Sequence, residues 1–397
     1  MSETAFSIDH QAFLELLLRG ALASRSPRSI ESAIAEGIKL VRLVVQDGAI
    51  GVSSVAPDVL SLAYTKAQTT IGTAHAVCVN AEDLVRDIES IIKPHTVRVS
   101  WDIHGQGPTP SGKVSVVCTN AKGKAALQWE HDAYDPTHVM SARLPTKGLV
   151  VFAAEEIKRA IDAIGFAANA ASSDGLLDSV LLRVVEGKAQ LAATDRNQLA
   201  VIEPATVSVG QPEQEFVLLN AVLLSKIAGL FAPSAEVTVA EDADTEHIWI
   251  KGEGLAVRLT MPAAVVRASW PLFIVDKFSG VATPTTAVVD RGDLVQAMKA
   301  AQARESRYCQ LQVSDAATEI AASYHHSAKP VLISCDPVTG TLQSQISLSS
   351  LGLLKAANQI RGEKVQLGFD ASEKRAILHD PTDPRTFYVF QRSEAVN

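Results

Sequence analysis

The sequence is poor in the residues that mark secreted, metal-binding and membrane proteins. Its 397 residues include only 4 cysteines, none of them in a CxxC pair. We therefore expect buried thiols, and neither a disulfide framework nor a cysteine-based zinc site. No apolar run approaches the roughly 18 residues that a membrane helix needs. The N-terminus lacks the basic and apolar segments of a signal peptide, so we expect a cytoplasmic protein.

Basic residues are too few for a protein that coats nucleic acid with its whole surface. Lysine and arginine total 36 against 44 aspartates and glutamates, which gives a net charge of -8. This total still permits local basic faces. Hydrophobic residues make up 47% of the chain, so it is too apolar to be disordered. The chain is too long to form a single ordinary hydrophobic core, and two or three domains are expected.

Patterns of catalytic residues are missing as well. The sequence has no GxSxG elbow and no HExxH pair. Residues 107–113, GPTPSGK, have the spacing of a phosphate-binding loop, but Val114 follows where a Ser or Thr would hold magnesium. His325 and His326 are adjacent and would point to opposite faces of a strand. Asp195 is interpreted as a turn residue. We predict no enzyme activity, no cofactor and no metal site.

An internal repeat is the strongest signal in the chain. Each copy combines a short apolar strand, one or two polar residues and about three turns of amphipathic helix. The six copies begin at Ala5, His75, Gly148, Glu215, Thr285 and Ser344. Pairs of copies predict three similar α+β domains, each with two helices packed on an antiparallel sheet. Their predicted boundaries are 1–146, 147–283 and 284–397.

Three stretches of sequence carry a family resemblance. Residues 176–182, LLDSVLL, lead into residues 193–201, ATDRNQLAV, where Ala-Thr-Asp, a variable corner of three residues and Leu-Ala-Val follow one another. The others are residues 270–273, WPLF, and residues 133–136, AYDP. In their order and spacing these stretches resemble the bacterial DNA polymerase III sliding clamp (beta subunit) family over essentially the whole chain.

The resemblance implies an architecture and a function. Three similar DNA-clamp domains would form a crescent, and two crescents would close into a homodimeric ring whose helices face double-stranded DNA. Such a ring slides because it reads no sequence, and it tethers a polymerase by raising its effective concentration. The implied partners are DNA, a DNA polymerase and clamp-loader subunits.

A sliding ring should present lysine and arginine to the phosphates from its helices. Acidic residues share some of these helices, so the basic bias in the sequence is modest. The candidate DNA-binding residues are Arg19, Arg25, Arg28, Arg86, Lys158, Arg159, Lys226, Lys299, Arg304, Arg307, Lys355 and Arg361. Each of them could instead be a solvated surface charge.

The resemblance also implies a pocket for partner peptides. Carried over by position, it would use Leu177, Thr194, Leu199, Pro271, Val275, Val389 and Phe390. Mostly apolar residues suit a peptide anchor, although Leu177, Leu199 and Val389 could equally be core strand residues. The corner at residues 196–198 reads Arg-Asn-Gln where clamps often have Gly-His-Arg, and the C-terminus also departs from the family pattern. A restricted set of partners is therefore expected.

The implied dimer interface has small side chains. Ala125 and Leu127 of the first domain would meet Ala300 and Ala301 of the last. At about 25 cal/mol per Å² of apolar area, several missing methylenes weaken such an interface by a few kcal/mol. This motivates an alternative function, a clamp-fold adaptor or inhibitor that binds proteins without encircling DNA. Nuclease or polymerase activity is a third and weaker alternative, because no carboxylate cluster with a metal-binding pattern stands out.

Overall fold

The computed structural model describes most of the chain. The described residues are 3–23, 39–56, 59–72, 75–93, 95–103, 112–120, 122–139, 144, 148–168, 177–210, 216–242, 246–263, 272–278, 281–324 and 329–393.

Helices and strands follow one another in the order that the repeat predicts. Up to residue 139 the elements are β1 (Thr4–Asp9), α1 (His10–Gly20), β2 (Leu40–Gln46), β3 (Ala49–Ala56), β4 (Val59–Lys66), β5 (Gln68–Thr70), β6 (Ala76–Asn80), α2 (Ala81–Glu89), β7 (Thr96–Ile103), β8 (Gly112–Thr119), β9 (Ala125–Ala133) and a 3-10 turn (Pro136–His138).

From residue 148 to residue 278 they are β10 (Val150–Ala153), α3 (Ala154–Ile164), a 3-10 turn (Gly165–Ala167), β11 (Ser179–Val185), β12 (Lys188–Thr194), β13 (Gln198–Ile202), β14 (Ser208–Val209), β15 (Phe216–Asn220), α4 (Ala221–Ala228), β16 (Glu236–Glu241), β17 (His247–Gly252), β18 (Leu255–Thr260) and α5 (Leu272–Phe278).

The last elements are β19 (Thr285–Asp290), α6 (Arg291–Gln302), β20 (Tyr308–Gln312), β21 (Glu319–Tyr324), β22 (Val331–Ser334), β23 (Ile346–Ser349), α7 (Ser350–Gln359), β24 (Lys364–Phe369), β25 (Arg375–Asp380) and β26 (Asp383–Gln391).

The six strand-to-helix steps share their local chemistry. In five of them the last residue of the strand is the helix N-cap, and its side chain accepts hydrogen bonds from backbone N–H groups of the first turn. These caps are Asp9, Asn80, Asn220, Asp290 and Ser349. The sixth helix, α3, follows Ala153 without a side-chain cap. Each such cap contributes about 1 kcal/mol to the stability of its helix. The polar residue of the sequence repeat therefore marks the residue at which the helix begins.

Contacts between residues divide the chain into two compact units. The first comprises residues 1–151 and 230–261. It contains a sheet in the order β5-β1-β7-β8-β9 and a second sheet in which β16-β17-β18-β4-β3-β2-β6 are neighbours. Phe6, Phe13 and Trp101 pack edge to face in its core, with ring centroids 5.3 and 6.2 Å apart.

The second unit comprises residues 152–229 and 262–397. Its sheets run in the orders β15-β11-β12-β13-β26-β25-β24-β19 and β22-β21-β20-β23. A core cluster joins buried side chains of β11, β13 and β26 to Val275 and Phe278 of α5. The described strand pairs of both units are antiparallel. The predicted fold class, α+β with helices packed on antiparallel sheets, is confirmed.

Two tight hairpins show how local sequence fixes register. Asp47 and Gly48 between β2 and β3 have φ of 47° and 76°, and Glu186 and Gly187 between β11 and β12 have φ of 51° and 75°. Two successive positive φ values match the right-handed twist of the flanking strands. Among the described residues, no helix combines the length and the apolar character needed to cross a membrane.

The four cysteines are free thiols. Cys78, Cys118 and Cys309 are buried, and Cys335 is half-buried. Burial raises the pKa of Cys78 and of Cys309 to about 12, and that of Cys118 to about 11. The expectation of buried thiols is therefore confirmed for three of the four.

Candidate nucleic-acid interface and partner groove

Eight of the twelve candidate DNA-binding side chains are exposed, either on the helices of the repeat or shortly after them. These helices lie in pairs, with α1 beside α2, α3 beside α4 and α6 beside α7. The exposed residues are Arg86, Lys158, Lys226, Lys299 and Lys355 on the helices, and Arg304, Arg307 and Arg361 just beyond them. Exposed, flexible cations suit contact with phosphates without a fixed geometry. Two further candidates, Arg25 and Arg28, lie outside the described residues.

Four candidate arginines also have protein partners. Arg86 Nη2 donates to Asp83 Oδ1 at 2.6 Å, and Arg304 lies over the Tyr324 ring at 5.1 Å. Arg19 is half-buried, and its Nη2 donates to the backbone oxygen of Glu253 at 3.1 Å. The Nε of Arg159 donates to Oε2 of Glu156 at 2.8 Å. This hydrogen bond lowers the pKa of Glu156 and raises the pKa of Arg159. Much of the charge of Arg159 is therefore already neutralised within its own helix.

Acidic residues are distributed unevenly among the helices. In α1 and α2 they outnumber basic residues: Glu15, Glu82, Asp83, Asp87 and Glu89 against Arg19 and Arg86. In α3, α4, α6 and α7 taken together, basic residues are in the majority, although α3 alone has more acidic than basic residues: Lys158, Arg159, Lys226, Arg291, Lys299 and Lys355 against Glu155, Glu156, Asp162 and Asp293. The basic bias seen in the sequence is thus confined to the helices of the second unit.

The candidate peptide-pocket residues are buried in the second unit. Those that the structure describes are 9% exposed or less: Leu177, Thr194, Leu199, Val275, Val389 and Phe390. Leu199, Val275 and Val389 belong to the core cluster that α5 covers. Pro271 lies outside the described residues. The role of these residues in a partner pocket stays a prediction, and in the isolated chain they act as core.

A separate groove of about 1120 Å³ opens beside this core, within the second unit. Of the candidate pocket residues described, only Phe390 lines it. The lining residues are Asp195, Asn197, Gln198, Tyr308, Gln310, Ser344, Gln345, Ser347, Ser349, Ser372, Lys374, Phe390, Gln391, Arg392 and Ser393. Sequence reasoning missed most of them, because their neighbourhood is created by strands far apart in the chain.

The variable corner after β12 contributes Asp195, Asn197 and Gln198 to the lining of the groove. Asp195 Oδ1 accepts from the backbone N–H groups of Asn197 and Gln198 at 2.9 and 2.8 Å, and its Oδ2 accepts from Gln198 Nε2 at 2.8 Å. This confirms Asp195 as a turn residue. Arg196 has φ of 76°, a left-handed conformation that favours glycine. It occupies the place where the clamp pattern often has glycine.

Helix α7 approaches the floor of the groove closely. A Cβ atom on Gly352 would lie 2.3 Å from Gln198 Oε1 and 2.9 Å from Cε1 of Phe390. Because real Cβ atoms do not come so near to other heavy atoms, the absence of a side chain at this position lets α7 pack against the groove.

Two edge strands carry exposed leucines. Strand β9 ends its sheet, and its Leu127 is 40% exposed; β22 ends another sheet, and its Leu332 is 51% exposed. Ala125 is exposed beside Leu127, whereas Ala300 is half-buried and Ala301 is fully buried in α6. Unpaired edge strands offer backbone N–H and C=O groups to a further strand. The edge of β22 was not anticipated from the sequence.

The fold resembles that of solved bacterial clamps over nearly the whole chain. A DnaN sliding clamp (DNA polymerase III subunit beta) from Pseudomonas aeruginosa, bound to griselimycin, has a TM-score of 0.77 at 17% identity, covering 99% of this chain and 100% of that one. A DNA polymerase III beta chain from Streptococcus pneumoniae gives 0.75 at 17%, with the same coverage. A DNA polymerase sliding clamp from Caulobacter crescentus gives 0.74 at 16%, covering 98% and 100%.

No protein-family model matches the sequence, and a sequence search of curated proteins found no match. The similarity is therefore one of fold. The chain has the fold of the DNA polymerase III sliding clamps, and the resemblance inferred from its sequence motifs is confirmed at the level of the fold.

Proposed function

We propose that the protein is a DNA sliding clamp, a non-enzymatic processivity factor of the cytoplasm that encircles duplex DNA and tethers a replicative polymerase. The observation that carries the proposal is the likeness to sliding clamps over 98 to 99% of the chain. The three domains would be 1–146, 147–283 and 284–397, and two copies would close the ring. Polymerase and clamp-loader subunits would bind through peptides at the second unit.

Ring closure in this proposal uses the two exposed edges. The β9 edge of one copy would pair with the β22 edge of a second copy, and Leu127 and Leu332 would become buried. A stable interface needs about 1,000 Å² or more of buried surface, so losing either leucine should matter. We expect Leu127→Arg to shift the protein toward monomer in analytical ultracentrifugation. Ile92→Arg, which changes a 96% exposed side chain in the same unit, should leave the association unchanged.

The central test is topological. Labelled protein is mixed with a linear duplex, the DNA is ligated into a circle, and free protein is removed by gel filtration in high salt. A sliding ring stays on the closed circle because it can dissociate only if the ring opens. A single restriction cut creates free DNA ends, from which the ring slides off. Equal retention before and after the cut would contradict the proposal.

The DNA-facing helices are tested separately. Replacing Lys158, Lys226, Lys299 and Lys355 by alanine should lower DNA affinity, and each lost phosphate contact should reduce the salt slope by about 1. A matched control replaces exposed lysines outside the helices, namely Lys66, Lys122, Lys124 and Lys188. If both variants behave alike, the helices do not face DNA.

A second candidate function is an adaptor or inhibitor that binds proteins without encircling DNA. The specific observation in its favour is the acidic character of α2, with Glu82, Asp83, Asp87 and Glu89 against Arg86, since acidic faces repel phosphates. This candidate expects no difference between circular and cut DNA, and no effect of the four helix lysines on a protein partner.

A further inference from the structure

The groove of the second unit is walled by polar side chains from two paired strands. Tyr308 and Gln310 of β20 lie opposite Ser349 and Ser347 of β23 in the strand register. The other wall is formed by the corner after β12 and by the end of β26, including Gln391. At about 1120 Å³ the groove has room for several residues of an extended peptide.

Hydrogen-bonding groups of this groove are left available. Asn197, Gln310 and Gln391 are exposed, and within the described residues their side-chain amides make no hydrogen bond. A side-chain amide carries donors and an acceptor that match the N–H and C=O groups of a peptide backbone. The apolar surface offered is small, because Phe390 is 1% exposed and Tyr308 is 44% exposed. The groove is therefore built for polar recognition with one aromatic contact.

The lining of the groove carries two cations, Lys374 and Arg392, and one carboxylate, Asp195. The neighbouring Glu373 carboxylate accepts from the N–H of Gln343 at 2.8 Å and lies 3.5 Å from Ser344 Oγ. The carboxylate of Asp195 is used at both oxygens by its own turn. Lys374 and Arg392 lie side by side, since the N–H of Arg392 donates to the oxygen of Lys374 at 2.7 Å. In the part of the chain that the structure describes, neither forms an ion pair, and Arg392 uses one donor on Ser344 at 3.1 Å. Most donors of a guanidinium with five N–H groups therefore stay open.

We propose that this groove takes an extended acidic peptide segment of a partner protein, with a carboxylate side chain bound between Lys374 and Arg392. The inference rests on the proposed partner-binding function and deepens it. Asn197, Gln310 and Gln391 hold the peptide backbone, and Tyr308 packs on a neighbouring side chain. The groove prefers a peptide with an acidic, hydrogen-bonded side chain over a peptide with only apolar side chains. An apolar side chain would leave the polar groups of the lining without hydrogen-bond partners.

The test uses a positional-scanning library of acetylated hexapeptide amides and the full-length protein. Binding is read by fluorescence anisotropy for each pool. We expect pools with Asp or Glu fixed at one position to bind about tenfold more tightly than the matched Asn or Gln pools, as a charge-assisted pair predicts. The preference should shrink in high salt.

Charge reversal distinguishes the possible outcomes. Lys374→Glu with Arg392→Glu should abolish the acidic preference and favour pools with Lys or Arg, whereas Lys277→Glu, on an exposed lysine of α5 outside the groove, should change nothing. Thermal melts check that each variant is folded. If apolar pools bind with no acidic preference, or the reversal has no effect, the acidic anchor is wrong and the proposed peptide site survives. If no pool binds, the peptide site itself is wrong.

Discussion

The close contact between α7 and the groove makes Gly352→Ala an informative perturbation. The new methyl group would lie 2.9 Å from the ring of Phe390, which is 1% exposed and cannot turn into solvent without losing its packing. It would also lie 2.3 Å from Gln198 Oε1, and that side chain is tied to Asp195 through its amide nitrogen. Either α7 or the floor of the groove must therefore move.

Two opposing effects set the magnitude. Alanine favours the helix over glycine by about 1 kcal/mol. Forcing a methyl group into a packed core costs about 1–3 kcal/mol. The net expectation is a loss of up to about 2 kcal/mol in the free energy of unfolding. Movement of the groove floor should also weaken binding of an acidic peptide.

Urea unfolding and peptide anisotropy measure these effects on the same samples. Gly165→Ala is the matched control, because a Cβ there meets nothing within 4 Å, and it should leave the urea midpoint unchanged or raise it slightly. Adding Gln198→Ala to Gly352→Ala should recover part of the loss, since it removes one of the two clashes. A Gly352→Ala protein at least as stable as the parent would refute the packing argument.

Four further predictions follow from single residues. Asp276→Ala should cost about 1–2 kcal/mol, because it leaves the Arg183 guanidinium, 8% exposed and 2.6 Å from Asp276, without its charged partner; an unchanged urea midpoint would contradict this. Arg196→Gly should be more stable than Arg196→Ala by about 1 kcal/mol, because φ is 76°; equal stability would mean that the corner stores no strain. At pH 8 a thiol reagent should label half-buried Cys335 first and the three buried thiols at the rate of unfolding, because burial shields them from the reagent; faster labelling of a buried thiol would contradict this. Burial lowers the pKa of His131, so the unfolded chain takes up a proton first and stability should fall as pH drops below about 6.5; His131→Gln should flatten this dependence in thermal melts.

Local signals predicted much of the fold. In the sequence repeat, an apolar strand is followed by a polar residue and an amphipathic helix. This pattern indicates helix caps, whose hydrogen bonds join residues close together in the chain, as at Asp9 and Asn80. Such bonds are readable without knowing the tertiary structure. Pairing between distant strands leaves no comparable trace: Gln198 lies opposite Phe390 across β13 and β26, and nothing near either residue in sequence indicates it.

The candidate site was harder to predict for the same reason. The family resemblance predicted Val275 and Val389 as pocket residues. In the structure, Val275 of α5 and Val389 of β26 are both buried in one core cluster. The groove residues Gln310 and Lys374 have no motif of their own. Their significance comes from two cations, exposed Lys374 and half-buried Arg392, and from several side-chain amides that come together only after folding.

The interleaved composition of the two units constrains how the protein is made. Strand β4 pairs with β18, so that Leu62 lies opposite Ala256. Until the ribosome has synthesised that second strand, β4 presents an open edge to the crowded cell, and such edges invite intermolecular pairing. Closing so long a stretch of chain is slow. The nascent protein therefore passes through a long interval in which its first unit is incomplete and the β4 edge is unprotected.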